Sequence, residues 1–339
     1  MQLSKAEVRQ TWNLDRRRDR RRLVLLAGIT LAAFLLCLLA LFMDDIYHTK
    51  EDFIYELKIL SLALFSGAAL SVAGAIFQSA YRNPMASPNM LGSTAGVSLG
   101  NVLVIMLYSS AALEQIRLRY EFCYGISALC VLLVLLLGKL AGDRKENYSI
   151  MEMVMTGSVI SQGISVFTMY IMYNLEDEDL LLYQQVSLGT YLQTDWASMA
   201  VFFIVMAISI LPVMILRYRF NAIGMDRMES TSLGISTGPI RILGQVCGVT
   251  MVTCAMIHCG QVGMVSMVVP YIMRRAAGSD FRGLCIYSAL TGGLLVVICR
   301  TLSEIIIIDT IQLPVTFLLN IILTPAFMVI LAKTRGGRE

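Results

Sequence analysis

The chain has 339 residues, of which 57% are hydrophobic and 15% are charged, and its formal net charge at pH 7 is +3. Soluble domains are about 45–50% apolar and about 25% charged. The composition therefore excludes an ordinary water-soluble enzyme and indicates an integral membrane protein.

Long apolar runs determine which kind of membrane protein to expect. Residues 23–43 are apolar on every face, without polar alternation. A membrane-spanning helix needs about 20 apolar residues, whereas a barrel strand alternates over about 10. The sequence therefore predicts an all-α membrane protein of about ten transmembrane helices.

Ten apolar segments lie between charged, proline-containing or glycine-containing breaks, and the eighth needs help from its flanks to cross. They are residues 23–43, 57–80, 91–108, 122–141, 150–173, 197–216, 240–257, 261–273, 284–299 and 313–332. The connections between them are too short for a soluble domain. The predicted organisation is a basic N-terminal segment (1–22), one transmembrane domain (23–333) and a short tail (334–339).

Basic residues predict the orientation, because Lys and Arg accumulate in cytoplasmic connections. With the N-terminus inside, 22 of the 27 Lys and Arg residues fall on the cytoplasmic side. Both termini are therefore predicted to be cytoplasmic. The acidic run 176–179 then lies outside, where we expect a solvated loop, with a docking role as the alternative.

Small residues recur at helical spacing in two predicted spans. Gly67 and Gly74 lie in the second, and Gly92, Gly96 and Gly100 lie in the third. Such residues let helix backbones approach closely, which drives helix association in lipid. These glycines are predicted helix-packing positions.

A motif links the second and third spans. Its members are Gly67, Gly74, Gln78, Arg82-Asn83-Pro84, Pro88 and Leu91-Gly92. This order resembles the FecCD-type family, the iron-siderophore, haem and vitamin B12 permeases of ABC importers. Later matches are Ser232-Leu233-Gly234, the stretch 260–274, Gly278-Ser279-Asp280 and Leu313-Pro314-Val315. The resemblance covers roughly residues 53–333.

The resemblance implies a permease subunit that moves an iron chelate, haem or corrinoid into a prokaryotic cell. It further implies a second permease subunit, identical or different, two ATPase subunits on the cytoplasmic side and an extracytoplasmic substrate-binding protein. The chain itself lacks the phosphate-binding pattern Gly-x-x-x-x-Gly-Lys-[Ser/Thr]. ATP and magnesium are therefore expected in a partner ATPase, and this chain is expected to be neither an enzyme nor a cofactor carrier.

Two other functions are weighed against import. An ion-driven secondary transporter would need carboxylates inside the membrane for coupling, and acids are almost absent from the span centres. A non-transporting membrane subunit of a sensor complex stays open as an alternative.

The cytoplasmic connection 217–241 corresponds to the place where the family presses short helices into the ATPase. The predicted coupling residues are Met225, Asp226, Arg227, Met228, Glu229, Ser232, Leu233 and Gly234. The alternative interpretation is an ordinary solvated loop.

Polar residues near two span centres are candidates for the translocation pathway, because polar groups in a bilayer point towards partners or water. Gln162 and Ser165 lie in the fifth span, and Thr316 and Asn320 lie in the tenth. The family's pathway is lined by these two spans. Each side chain could alternatively bond a neighbouring helix.

The outer face departs from the family at two positions. Family members resembling the vitamin B12 permease present arginines that bind acidic residues of the binding protein, whereas this chain has Glu56 and Glu304. Arg300 stands four residues before Glu304, which favours a local ion pair. We expect a binding protein that offers Lys or Arg instead. The alternative is docking through other basic residues: Lys58, Arg117 and Arg119.

Of the two histidines, His48 and His258, the second precedes Cys259 and could meet a metal or haem, but packing or solvation is the favoured interpretation. Methionine-rich stripes in helices more often fill packing gaps than bind metal. We predict no metal site in this chain.

Overall fold

The computed structural model describes residues 50–108, 116–141, 150–188, 196–224, 237–262, 264–308 and 311–335, with four isolated positions at 28, 31, 32 and 35. The predicted first span (23–43) lies outside this part of the chain apart from those positions, and the predicted coupling residues 225–234 lie outside it entirely.

Eleven α-helices occur within the described residues. They are α1 (Lys50–Ala80), α2 (Ser93–Tyr108), α3 (Ile116–Ala141), α4 (Ile150–Tyr173), α5 (Asp177–Leu188), α6 (Trp196–Ile215), α7 (Arg217–Gly224), α8 (Thr237–Cys259), α9 (Val265–Ala277), α10 (Phe281–Ile305) and α11 (Val315–Arg335). A 3₁₀ helix covers Pro88–Leu91, and the strands β1 (Ile307–Ile308) and β2 (Ile311–Gln312) form a two-stranded antiparallel hairpin. The hairpin was not predicted.

The prediction of an all-α membrane fold is confirmed. Four helical segments are long and apolar enough to cross a bilayer: Phe53–Ala80, Trp196–Ile215, Gly238–Cys259 and Phe281–Ile305. Shorter apolar segments are Ser93–Tyr108, Glu121–Val134 and Val315–Ile330. Every predicted span from the second to the tenth coincides with one helix.

The prediction of a loop at residues 176–179 was wrong, because α5 begins there. Three acids occupy its first turn, where negative charge stabilises the positive end of the helix dipole. Leu182 and Tyr183 are buried in a small cluster with Val102 and Ile105 of α2. The acidic run by itself indicated a loop, because the apolar residues that α5 buries come only after it in the sequence.

Helix α1 is the centre of the bundle and packs against α8, α9 and α10. A methyl group on Gly67 would overlap the carbonyl oxygen of Gly292 in α10, and one on Gly74 would overlap that of Ser266 in α9. Both glycines therefore permit backbone contact between helices, the geometry that small residues allow in lipid.

Helix α2 packs against α3 through its own glycines. An added Cβ on Gly96 would lie 2.6 Å from the Cα atom of Ser127, and one on Gly100 would lie 2.7 Å from that of Cys123. Gly92 serves a different purpose. It ends the 3₁₀ helix with φ +79°, a conformation that side chains with a Cβ disfavour.

Candidate docking, pathway and coupling sites

The bundle has two chemically different ends. At the first, which we call the α5 end, α1 begins, α10 finishes and α5 lies nearby. At the second, which we call the α7 end, α1 and α9 finish beside α7. Hydrogen bonds define this second grouping: Arg82 Nε donates to Ile223 O at 3.0 Å, and Arg274 donates to Ser79 Oγ at 3.2 Å.

A buried charge cluster lies at the α5 end. The guanidinium of Arg300 forms an ion pair with Glu304, four residues later, and lies 3.6 Å from a carboxylate oxygen of Glu56 in α1. The side chains of Glu56 and Glu304 are only 7% and 14% exposed. Both acids expected at the docking face are thus held inside the chain by its own arginine.

The sequence predicted only half of this cluster. Spacing within one helix paired Arg300 with Glu304, but nothing local connects Arg300 to Glu56, which lies 244 residues earlier. The sequence contained one indication of this contact, because the predicted topology places the start of α1 and the end of α10 on the same side of the membrane.

Lys58 makes a different contact at the α5 end. Its ammonium nitrogen lies 3.9 Å from the ring centroid of Trp196, the first residue of α6. A cation over an indole face is electrostatically attracted to it. The other two candidate docking cations, Arg117 and Arg119, lie in the first turns of α3, and their side chains are outside what the structure describes.

The candidate pathway residues divide into two groups. Gln162, Ser165 and Asn320 are exposed on the surface of this chain. Thr316 is half-buried, and its hydroxyl donates to Leu188 O at 3.2 Å, which connects α11 to the end of α5. Ser165 donates to the Ser161 carbonyl oxygen at 2.8 Å within α4. The side-chain amides of Gln162 and Asn320, by contrast, lie on apolar helices and remain exposed.

Helix α7 leads directly into the predicted coupling segment and is firmly anchored. The Phe220 ring stacks on Phe281 with centroids 4.8 Å apart. Asn221 donates to Asp280 at 2.7 Å and accepts the Phe281 backbone N–H at 2.7 Å. The Arg82 bond to Ile223 O adds a contact from the connection after α1. Sequence analysis noted Arg82 and Asp280 only as motif residues and missed this anchoring role.

The whole arrangement has a close structural counterpart. A solved structure described as a metal-chelate type ABC transporter in an inward-facing conformation matches with a TM-score of 0.79 at 20% identity, covering 93% of this chain and 99% of that one. The fold is that of an ABC-transporter permease, a multi-pass protein of the cell membrane.

Sequence comparison makes the assignment more specific. A sequence model of the FecCD transport family matches residues 22–333, and the chain belongs to this family. The Fe(3+) dicitrate transport system permease protein FecD of Escherichia coli K12 is 31% identical over 83% of this chain and 85% of its own length. The hemin transport system permease protein HmuU of Yersinia pestis is 25% identical, covering 82% of each chain. The molybdate import system permease protein MolB of Haemophilus influenzae is 24% identical over 86% of this chain and 85% of its own length.

Proposed function

We propose that this permease subunit carries an iron chelate, haem or corrinoid into the cytoplasm and that a partner ATPase drives transport. The observation that carries the proposal is the family match over residues 22–333, together with the 31% identity to a permease named for Fe(3+) dicitrate. A molybdate permease among the relatives makes molybdate the second ligand to test.

The chain's own residues support the proposal of an ATPase partner. No phosphate-binding loop pattern occurs in the sequence, so ATP and magnesium belong to the partner. The partner engages the segment that contains Asp226 and Leu233. Helix α7, which precedes this segment, supports the proposal. Because α7 is hydrogen-bonded to Asp280 and Phe281, a force that the ATPase exerts on the segment would be transmitted through α7 to α10.

The exposed amides support the proposal of a second permease subunit. A polar side chain facing lipid is costly, so residues of this kind face protein or water. Gln162 on α4 and Asn320 on α11 are both exposed on this chain. Pairing with a second copy, or with a related permease, would enclose them around a central pathway.

The binding protein docks at the α5 end. Because Arg300 is shared between Glu56 and Glu304, the buried cluster retains one net negative charge when all three groups are ionised. An acidic partner residue placed there would be repelled, and a wrong-sign contact at an interface costs several kcal/mol. A binding protein that places Lys or Arg near Glu304 would compensate the remaining negative charge of the cluster.

Reconstitution tests the proposal. The full-length chain is purified with the ATPase that accompanies it, inserted into vesicles and supplied with the binding protein from the same cells. ATP-dependent uptake is then measured for ferric dicitrate, haemin, cobalamin and molybdate. The matched control carries an ATPase whose phosphate-loop lysine is replaced.

Uptake of one of the first three ligands that needs ATP hydrolysis supports the proposal. Uptake driven by an ion gradient without the ATPase contradicts it. Ligand-dependent ATPase activity without any uptake would instead favour the sensor subunit.

A further inference from the structure

Helix α10 is capped by a side chain from another helix. The first N–H groups of a helix lack partners within it, and the residue before the helix usually supplies one. That residue, Asp280, makes no such bond with its own side chain within the described residues. Instead, Asn221 of α7 accepts the Phe281 backbone N–H at its Oδ1 atom, at 2.7 Å, and donates from Nδ2 to Asp280 Oδ1, also at 2.7 Å. We call this pair of bonds the interhelical cap.

Aromatic packing supports the interhelical cap. The rings of Phe220 and Phe281, each next in sequence to a residue of the cap, are both buried and stack with an interplanar angle of 14°. Asn221 itself is half-buried, and a hydrogen bond partly shielded from water is stronger than one in bulk solvent. A displacement of α7 therefore either carries the first turn of α10 with it or breaks these contacts.

The opposite end of α10 lies at the α5 end of the bundle. The helix is continuous from Phe281 to Ile305 and, at 1.5 Å per residue, about 37 Å long. Near its last turn, Arg300 contacts Glu304 and Glu56. The proposed function places the binding protein at this end and the ATPase on the segment that follows α7. One helix thus reaches from the docking site of one partner to the helix that leads into the contact site of the other.

We propose that Asn221 is a positioning residue that couples the two partners. Through the interhelical cap, α10 transmits docking of the binding protein to the segment that the ATPase engages, and ATPase movements to the docking site. This inference rests on the proposed function and adds to it the helix that carries the signal and the residue that joins it to α7. Because Asn221 acts through α10, its loss should affect the coupling of the two partners rather than the activity of either.

Uptake and ATP hydrolysis are measured together in vesicles that contain the full-length chain, its ATPase and the binding protein. The probe is whichever of ferric dicitrate, haemin, cobalamin and molybdate the natural protein takes up. Asn221→Leu removes both bonds of the interhelical cap at similar side-chain volume.

Two further variants make the test specific. The exchange variant carries Asn221→Asp together with Asp280→Asn, which reverses donor and acceptor in the side-chain pair and leaves an oxygen for the Phe281 N–H. Ser127→Ala is the control, because it removes a buried contact of 2.8 Å between hydroxyl groups of α3 and α8, away from α7 and α10.

We expect Asn221→Leu to lower the amount of probe taken up per ATP hydrolysed by about tenfold, a typical size for coupling between distant sites. Hydrolysis itself should continue at the natural rate. The exchange variant and Ser127→Ala should keep most of the natural coupling. Hydrogen exchange gives a readout that does not depend on uptake: the Phe281 amide should exchange faster in Asn221→Leu than in the other two variants.

The inference is overturned if Asn221→Leu keeps the natural coupling, or if it lowers uptake and hydrolysis in parallel, since its role would then be purely structural. It is also overturned if the exchange variant or Ser127→Ala loses as much coupling as Asn221→Leu does. A natural protein that shows no ATP-dependent uptake contradicts the transport proposal, and this inference with it. That result is distinguishable, because it appears before any substitution is made.

Discussion

Arg300 near the end of α10 lies 3.6 Å from Glu56 near the start of α1, and this contact joins two helices that are far apart in sequence. Glu304 binds the same guanidinium. Removing the cation from a buried cluster leaves charges without compensation, which typically costs about 3–5 kcal/mol. We therefore expect Arg300→Gln to lower the free energy of unfolding by about 3 kcal/mol, measured by thermal unfolding in detergent.

A double-mutant cycle separates this pairing from simple loss of packing. Adding Glu56→Gln to Arg300→Gln should recover part of the lost stability, and Arg300→Lys should retain most of it. If the second substitution lowers stability further, Glu56 is not compensated by Arg300.

The backbone contact at Gly74 gives a second prediction. A methyl group there would overlap the carbonyl oxygen of Ser266, so α1 and α9 must separate to admit it. We expect Gly74→Ala to destabilise the protein by about 1–3 kcal/mol, the usual cost of overpacking. Gly125→Ala in α3 is the control, because nothing lies within 4 Å of the added atom. Equal unfolding temperatures for the two variants would count against close contact between α1 and α9.

The pathway assignment predicts a loss of uptake without a loss of folding. Replacing Gln162 or Asn320 with Leu removes an exposed amide. If the amide contacts ligand or pathway water, uptake should fall roughly tenfold, the effect of one lost polar interaction. Val166→Leu is the control, since it changes an apolar residue that is 69% exposed one turn beyond Gln162. Unchanged uptake in Gln162→Leu would remove that residue from the pathway.

The predicted orientation places the coupling segment in the cytoplasm. A cysteine at Asp226 should be labelled by a membrane-impermeant reagent only after the membrane is opened, whereas one at the exposed Glu176 should be labelled in intact cells. The natural protein gives the background, which should be low because the cysteines in the described part of the chain are buried. Labelling of Asp226→Cys from outside intact cells would show that the orientation is the opposite of the predicted one and would overturn the coupling proposal.

Helix α5 shows where sequence reasoning fails. Its first turn carries Asp177, Glu178 and Asp179, and charge alone suggested a loop. The apolar residues Leu182 and Tyr183 acquire a partner only when α2 presents Val102 and Ile105 to them. A helix of 12 residues is marginal in isolation, so tertiary packing rather than local propensity determines that it forms.

The sequence by itself determined the membrane class, the nine spans that fall within the described residues and the family, because span length and hydropathy are set by the thickness of the bilayer and the motifs are local. It also predicted the pairing of Arg300 with Glu304, since both lie on one helix. Only the tertiary structure decided that Glu56 is buried against Arg300 and that Arg82 holds α7. These relationships join residues more than a hundred positions apart. The thickness of the bilayer determines which segments of the chain span it, but it does not determine which helices pack against each other.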